Sequence, residues 1–273
     1  MPYTIWQTNH PINQTVTSAF ARGIQKISET GKGFNLKPIS MFSKKADVRP
    51  CISYGILRGT GLLFQACRDN GVEFWEIDRG FWNASHYDGY YRISLGGMNP
   101  DYVSGIAQKF RAGCIIPKIE AWQKNNDGHI LFCPPSKYVK WFYDLPNHWE
   151  QETLGQLARH ADRQIIIRDK DSVRPIEADF AGCYAAVTHS SNIALDALRN
   201  GIPAICVGKH PIKDWNGFVI SDIEKDLTNC DRTELFNFLS WQQYNLLELS
   251  EGYPWEAVQA MQKYRSVYLG GGN

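Results

Sequence analysis

The segment from Tyr184 to Gly208 constrains the fold of this 273-residue chain most strongly, because it reads as a complete strand, helix and strand. Residues 184–188 form an apolar run with the length of a buried parallel strand. Gly201 and Pro203 predict the end of the following helix, since glycine adopts the left-handed cap and proline cannot continue a helix. Residues 203–207 predict the next strand. The segment therefore predicts a βαβ unit.

His189, Ser190 and Ser191 lie in the turn between the first strand and the helix of this unit. In open α/β sheets, ligands bind beyond the carboxyl ends of the strands, where a helix N-terminus offers free N–H groups to an anion. The two serine hydroxyls are therefore candidates to hold a phosphate. Ser191 can instead serve only as the helix N-cap, and the local sequence leaves both interpretations open.

Strand and helix patterns alternate through both halves of the chain, which favours the α/β class. A cluster of polar turn formers at residues 122–128 predicts a domain boundary. We expect a Rossmann-like domain over residues 1–124 and a second over residues 125–252. Residues 253–273 predict a last helix followed by a glycine tail. A single larger domain is the alternative for a chain of this length.

Charge and cysteine usage narrow the possible functions. The chain has 29 Lys plus Arg against 28 Asp plus Glu, so any attraction to nucleic acid must come from a local basic site. Seven cysteines lack paired short spacing, which is typical of reduced, buried thiols. No apolar run reaches the ~18 residues of a membrane span, and the first strand follows no leader pattern. We therefore expect a cytoplasmic protein without membrane insertion.

Three polar elements of the first half are candidates for binding. His10 lies in the loop after the first predicted strand, where α/β folds place ligands, or it is an incidental residue of a surface loop. Residues 30–50 read as irregular and basic, with Lys44 and Lys45 among the cations. This segment predicts either a phosphate-binding loop or a solvated surface. Arg58 lies in the turn that opens the next predicted helix, and we expect it to project over the carboxyl edge of the sheet.

Basic residues also follow predicted strands of the second half. Ser136 and Lys137 come after the strand at residues 129–133, and Arg168 and Lys170 come after the strand at 164–167. Carboxyl ends of parallel strands meet at one edge of a sheet. We therefore expect these side chains to neutralise a phosphate beside the Ser190 turn.

The run S-S-N-x-A-x-D-A-L-x-x-G-I-P, from Ser190 to Pro203, resembles the donor-site motif in the C-terminal domain of GT-B glycosyltransferases. In that family the strand, turn and helix hold the diphosphate of a nucleotide sugar. The resemblance implies donor contacts for His189, Ser190 and Ser191. It places Asp196 where the family commonly has an acidic residue. UDP-sugar epimerases of the same architecture share the motif.

Two runs of the first half, Y-G-I-L-R-G and E-I-D-R-G-F, resemble the N-terminal domain of capsule-type, Kdo-transferase-like glycosyltransferases. There an E-D-G-F turn carries the catalytic acid. Aligning the glycines places Asp78 on the family's Glu and Arg79 on its Asp, so the base is Asp78 or is missing. Together with G-Y-Y-R-I, which contains Arg92, these runs resemble small stand-alone glycosyltransferase-like proteins of bacteria and phages.

The resemblance implies a GT-B fold, with two Rossmann-like domains facing each other across a cleft and a C-terminal helix crossing back to the first domain. It implies transfer of a sugar from a nucleotide-sugar co-substrate to an acceptor hydroxyl, with no further cofactor. Asp78 is the expected base, and Arg58 and His10 are further catalytic candidates. Asp169 and Asp171 spell a D-x-D metal motif, but the Rossmann-type context belongs to the metal-independent fold, so we expect no metal site.

The identity of the acceptor substrate is the part of the function that the sequence indicates least directly. We expect Arg79, Arg92, Lys44 and Lys45 on the acceptor side, and the basic segment favours a hydroxymethylated base in double-stranded phage DNA. The expected location is the cytoplasm of a bacterium or of a phage-infected host. A surface polysaccharide is the alternative acceptor. A sugar-nucleotide epimerase or hydrolase, and a non-catalytic nucleotide-sugar binder, are the alternative functions. The sugar, the nucleotide and the oligomeric state stay open.

Overall fold

The computed structural model of the chain describes residues 3–27, 34–44, 48–100, 115–257 and 259–260. By their contacts these residues divide into two compact units. Unit 1 contains the described residues up to Met98 and from Trp241 onward. Unit 2 contains Asn99, Pro100 and the residues from Ile115 to Ser240.

The described residues contain ten strands and nine helices that are named here, and residues 253–257 and 259–260 are also helical. In chain order they are β1 (Tyr3–Gln7), α1 (Pro11–Ile27), β2 (Phe34–Pro38), β3 (Cys51–Tyr54), α2 (Thr60–Asp69), β4 (Phe74–Arg79), β5 (Tyr91–Leu95), β6 (His129–Cys133), α3 (Lys137–Phe142), α4 (Trp149–His160), β7 (Ile165–Ile167), α5 (Ile176–Phe180), β8 (Cys183–Thr188), α6 (Ile193–Arg199), β9 (Ala204–Cys206), α7 (Pro211–Asn216), α8 (Arg232–Trp241), β10 (Gln243–Tyr244) and α9 (Leu246–Glu251). Short 3-10 turns cover Ile39–Met41 and Ile220–Asp222.

Unit 1 is built on a mixed sheet in the order β10-β5-β4-β3-β1-β2. Strands β2, β1, β3 and β4 run parallel, and β5 pairs antiparallel with both β4 and β10. The chain passes from β1 outward to β2, then returns to β3 and continues to β4. The strand order therefore reverses between β1 and β3, which is where α/β sheets place their ligands.

Unit 2 contains a fully parallel sheet in the order β7-β6-β8-β9. Its central strands are apolar on both faces, with Ile130, Leu131 and Val187 wholly buried, as expected for a parallel sheet covered by helices. The order reverses between β6 and β8. The predicted α/β class is confirmed, and both sheets are consistent with Rossmann-like folds.

Residues 30–50 were expected to be irregular, and this expectation is wrong for part of the segment. Residues 34–38 form β2, which pairs along its whole length with β1 at the edge of the sheet. The strand was missed because it lies at the sheet edge and none of its residues is fully buried, so its sequence lacks the alternation of apolar and polar residues that marks a half-buried strand. Pro38 is compatible with this edge position.

The C-terminal elements pack against α1 in unit 1. Gly23 of α1 lies so close to α9 that an added Cβ would stand 2.1 Å from the carbonyl oxygen of Leu249. The Trp255 ring meets the rings of Tyr3 and Phe20 edge to face, at centroid distances of 5.2 and 6.3 Å. Residues late in the sequence therefore complete the core around α1.

The described cysteines are free thiols, five of them buried, and Cys114 lies outside the described residues. The Sγ atoms of Cys51 and Cys67 are 3.5 Å apart. No described helix combines the length and the apolar character that a membrane span requires.

We predict that Gly23→Ala destabilises the protein by about 1–3 kcal/mol or more, because its methyl group must displace backbone atoms of α9. Gly155→Ala in α4 is the matched control. There the nearest atom to an added Cβ is the Arg159 guanidinium at 3.8 Å. The control should gain about 0.5–1 kcal/mol, as expected for glycine replaced by alanine inside a helix. Urea unfolding measures both, and equal effects of the two changes would contradict the close packing of α1 on α9.

Candidate functional site

The carboxyl edge of the unit 2 sheet, which we call the donor edge, brings together most residues of the predicted donor site. Ser136 and Lys137 follow β6, and His189 to Ser191 follow β8. Strands β6 and β8 are parallel neighbours, with Cys133 paired in register with Thr188. Two turns that are more than 50 residues apart in the sequence therefore begin side by side.

His189 is buried at the donor edge, with 5% of its surface exposed. Its ring lies against Tyr143 and Trp149, at centroid distances of 5.3 and 5.5 Å. Its Nδ1 is 2.9 Å from Oγ of Ser190. An added Cβ at Gly208 would lie within 2.3 to 2.6 Å of three ring atoms. Glycine at position 208 thus leaves the space that the imidazole occupies.

The environment of His189 keeps its ring neutral. Burial, together with the smaller effect of the Lys213 charge, lowers the pKa of His189 to about 4. Lys213 is held nearby by a hydrogen bond from Nζ to the carbonyl oxygen of Val207, at 3.0 Å. At neutral pH the imidazole therefore orients the Ser190 hydroxyl without offering a positive charge to an anion.

Asn99 is a buried residue of the donor edge that the sequence did not indicate. Its side chain is 1% exposed, and Nδ2 donates to the carbonyl oxygens of Ser190 and Lys209, at 3.4 and 3.2 Å. Oδ1 has no hydrogen-bond partner among the described residues. Asn99 thus joins the turns after β8 and β9. It stands 91 positions before Ser190, so no local pattern points to it.

Ser191 is exposed and stands two residues before α6. Asn192 is the N-cap residue, and the Ser191 hydroxyl accepts a hydrogen bond from the N–H of Ile193 at 3.3 Å. The Asn192 side chain makes no capping hydrogen bond, so the hydroxyl of Ser191 is the side-chain group that caps the first turn. Asp196 is half-buried in α6, where burial raises its pKa, and its Oδ1 lies 3.5 Å from Nε of Arg199.

Arg168 follows β7 but is engaged in an ion pair. Its guanidinium contacts the buried carboxylate of Asp179 and donates to the carbonyl oxygen of Arg174 at 2.9 Å. Arg174 also pairs with Asp179, at 2.8 Å. A carboxylate that is 2% exposed needs such partners, because an unpaired buried charge is costly. Arg168 therefore compensates the charge of Asp179.

The other predicted donor contacts remain exposed or act as caps. Ser136 is the N-cap of α3, and its hydroxyl accepts from the N–H of Val139 at 3.4 Å. Lys137 is exposed, with Nζ 5.3 Å from the centre of the Tyr138 ring. Lys170 is exposed three residues after the end of β7.

Asp78, the candidate base, lies at the carboxyl end of β4 in unit 1. Its Oδ1 accepts from the N–H of Arg79 at 2.8 Å, and its Oδ2 lies 3.0 Å from Nη2 of Arg92. Arg92 is 5% exposed and also donates to the carbonyl oxygens of Met98 and Arg79, at 2.9 and 2.7 Å. Arg92 therefore fixes the Asp78 carboxylate. The Arg79 side chain turns instead to His86, whose Nε2 is 2.6 Å away.

Glu76 is a second carboxyl group of β4 that the sequence did not single out. Its side chain is completely buried, and neither oxygen has a hydrogen-bond partner among the described residues. Burial raises its pKa well above the usual value, and the nearby charge of Asp78 adds to the effect. Position 76 lies within the E-I-D-R-G-F run. Its neighbour on β5 is Ser94, also completely buried.

Arg58 and Lys44 line a cleft of about 720 Å³ in unit 1, at the carboxyl ends of β1, β2 and β3. Arg58 adopts a left-handed backbone conformation, with φ of 59°, two residues before α2 begins. His10 is half-buried just before the start of α1. Lys45 lies outside the described residues.

Asp169 and Asp171 are both exposed in the turn after β7. Within the described ranges, no group of three or more His, Cys, Asp or Glu side chains is arranged to hold a metal ion.

Comparison with known proteins gives a distant likeness in structure. No protein-family model matches the chain, and no curated protein matches it. Among solved structures, a similar chain is KpsC, a beta Kdo 2,7 transferase of Thermosulfurimonas dismutans. The TM-score is 0.47 and the sequence identity 10%, over 93% of this chain and 99% of that chain. This likeness is too distant to assign the chain to a family.

We predict that His189 makes the stability of the protein depend on pH. With a pKa of about 4 in the folded state against 6.5 in the unfolded chain, the unfolded chain binds more protons between these values. The stabilisation is complete above pH 6.5 and is lost as the pH falls to 4. The loss is about 3 kcal/mol relative to His189→Asn, which cannot titrate.

Urea unfolding at several pH values measures this difference, with His160→Asn as the control. His160 is exposed at the end of α4, so the control should follow the pH dependence of the unchanged protein. Parallel curves for the unchanged protein and His189→Asn would refute a buried, neutral imidazole.

Proposed function

We propose that the chain is a GT-B-type glycosyltransferase that binds a nucleotide-sugar donor at the donor edge of unit 2. The supporting observation is the turn of His189, Ser190 and Ser191 at the point where the strand order reverses. Buried side chains hold this turn from two sides, through the His189 ring and the Asn99 amide. The Ser190 hydroxyl is half-buried and the Ser191 hydroxyl exposed, so a diphosphate can reach them. The resemblance to the GT-B donor motif covers the same residues.

In this proposal the donor edge stabilises the leaving group. As the bond between the anomeric carbon and the diphosphate breaks, the electron pair stays on the phosphate oxygen. Ser190 and Ser191 donate hydrogen bonds to the diphosphate, and the exposed ammonium groups of Lys137 and Lys170 reduce its charge. Arg168 has a smaller part, because Asp179 already holds its guanidinium. These groups act without a metal ion.

Unit 1 supplies the base. The Asp78 carboxylate takes the proton of the acceptor hydroxyl as its oxygen attacks the anomeric carbon. Arg92 and the N–H of Arg79 orient this carboxylate, which keeps 24% of its side chain exposed to a substrate. Arg92 is thus a positioning residue in this proposal. His10 is the next candidate for the base.

We propose a saccharide as the acceptor, in line with the alternative drawn from the sequence. A modified DNA base receives no support from the described structure. Lys37 and Lys44, which belong to the basic segment expected to grip DNA, line a compact cleft. Duplex DNA needs a series of phosphate contacts along an extended surface. The compact shape of the cleft therefore favours a small or terminal group.

We predict that the double variant Ser190→Ala, Ser191→Ala binds nucleoside diphosphates at least a hundredfold more weakly. Each hydrogen bond to a charged group contributes about 1.5–3 kcal/mol, and two are lost. Calorimetric titration with a panel of nucleoside diphosphates and nucleotide sugars measures the affinity. Urea unfolding should show a loss of no more than about 1 kcal/mol, the usual contribution of a capping hydroxyl, because Ser191 is exposed and loses only its hydrogen bond with the N–H of Ile193.

Ser221→Ala, at an exposed position of unit 2, is the control for the double variant and should bind normally. Unchanged affinity in the double variant would remove the donor edge from the proposal. Rapid conversion of the donor in the panel without an acceptor would instead favour an epimerase or hydrolase.

We predict that Asp78→Asn leaves donor binding intact and slows sugar transfer about a hundredfold or more, the usual contribution of a general base. Transfer is followed as release of the nucleoside diphosphate in the presence of EDTA, because the proposed reaction needs no metal ion. Asp88→Asn, at an exposed position of unit 1, is the control. Normal turnover by Asp78→Asn would place the base elsewhere, and His10→Gln would then be tested.

A further inference from the structure

The cleft of unit 1 is a second concave site, distinct from the donor edge. It is formed where β1, β2 and β3 end, beside the reversal of strand order between β1 and β3. Its volume of about 720 Å³ lies within the range of about 300–1,000 Å³ typical of small-molecule sites. The cleft can therefore enclose a molecule of the size of a sugar or a nucleoside.

Two buried polar side chains fix the turns that frame the cleft. Asn13 accepts a hydrogen bond from the N–H of Thr8 at 2.8 Å and donates to the carbonyl oxygen of Tyr54 at 3.0 Å. The carbonyl oxygens of Gly55 and Leu57 lie 2.6 and 2.7 Å from Oγ1 of Thr60 and share its hydroxyl proton. The turn after β1 is thus tied to the end of β3, and the turn after β3 is tied to the start of α2. These hydrogen bonds hold the two turns in place before any ligand binds.

The charged side chains among the described residues that line the cleft all carry the same sign. They are Lys37, Lys44 and Arg58, and none of the described lining residues is an aspartate or a glutamate. Lys44 and Arg58 form no ion pair with a described residue, and Lys37 lies over the Trp6 ring at 5.6 Å. Like charges around a concave surface repel one another and attract an anion. The whole chain has a net charge of +1, whereas the described lining of this cleft alone contains three positive charges.

Apolar side chains form another part of the lining. Leu36 and Leu62 are 46% and 42% exposed, although large apolar residues are usually buried. Phe42 also lines the cleft and packs edge to face on Trp6, at 5.6 Å. Exposed apolar surface beside cations suits a ligand with an anionic end and a ring.

We propose that this cleft binds a phosphate monoester of a compact, ring-bearing molecule, either a sugar phosphate or a nucleoside monophosphate. A phosphate monoester carries close to two negative charges at neutral pH, and a carboxylate carries one. Three cations match the dianion better. The inference goes beyond the proposed donor site, and it holds whether or not the chain transfers a sugar.

The test is calorimetric titration of the full-length chain at low ionic strength with inorganic phosphate, glucose 6-phosphate, adenosine monophosphate, glucuronate and glucose. The same titrations are repeated with the variant Ser190→Ala, Ser191→Ala, which removes the proposed donor site. Binding that persists in this variant is then assigned to the cleft, and binding that is lost is assigned to the donor edge. We expect one of the two phosphate monoesters to bind best. Inorganic phosphate should bind more weakly, glucuronate more weakly still, and glucose not measurably.

Lys44→Gln and Arg58→Gln should each weaken binding of the monoester about tenfold, since each removes one charge-assisted contact. Arg22→Gln is the matched control, because it removes one exposed cation of the same unit from α1 outside the cleft. Backbone amide signals of Asn9 and Gly59, two lining residues, should shift on titration.

Three results would overturn the proposal. The first is absence of binding by every phosphate compound at low ionic strength. The second is equal weakening by Arg22→Gln and Arg58→Gln. The third is tighter binding of glucuronate than of both monoesters, which would assign the cleft to a different class of ligand. The unchanged unfolding curve of each variant confirms that only binding is altered.

Discussion

Parallel pairing of the central strands is the constraint on which the rest of this structure depends. Parallel neighbours must be joined by crossovers, so every turn that follows a strand returns to the same edge of its sheet. In unit 2 this gathers the turns after β6, β7, β8 and β9. In unit 1 it gathers the turns after β1, β2 and β3 and places Asp78 at the end of β4. Each unit therefore has its candidate functional residues at the carboxyl edge of its sheet.

The two edges contain buried polar and charged groups, whose removal from water must be offset by partners within the protein. Arg92 and Asp78 compensate each other beside the end of β4, and Arg168 and Arg174 compensate Asp179. Glu76 is different, since it has no hydrogen-bond partner among the described residues and its pKa is raised by burial. A buried carboxyl group that stays protonated avoids the cost of an unpaired charge but still loses its hydrogen bonds to water. Such groups are tolerated more readily next to a site than in a core whose only role is stability.

The predictions from the sequence agree best with the structure where residues that are close in the sequence determine the local conformation. Gly201 adopts the left-handed conformation expected of a helix cap, with φ of 78°. Asp231 accepts hydrogen bonds from the N–H groups of Thr233 and Glu234 at the start of α8, at 2.8 and 3.4 Å, which is the usual arrangement of a capping aspartate. The strands predicted at residues 184–188 and 203–207 are observed as β8 and β9, with each end within one residue of the predicted bound. In these places the signal and its structural partner are a few residues apart.

What the sequence did not predict depends on contacts between distant residues. β2 is an edge strand that is recognisable through its pairing with β1, and β10 is a two-residue strand recognisable through β5. Asn99 and Gly208 contact the turn of His189 and Ser190 because the fold brings separate segments together. No residue spacing in the sequence indicates these contacts. Likewise, Arg168 has the type and position of a phosphate ligand, but the buried Asp179 that engages it comes from another element.

The packing of α9 on α1 also has a consequence for how the protein is made. Unit 1 is discontinuous in sequence, because β10, α9 and Trp255 follow the whole of unit 2. A ribosome synthesising the chain from its N-terminus produces all the described residues of unit 2 before the segment that covers Gly23. The core around α1 therefore stays open while residues 99–240 are being made. Unit 2 can begin to fold during synthesis, whereas unit 1 is completed only after Trp255 has emerged.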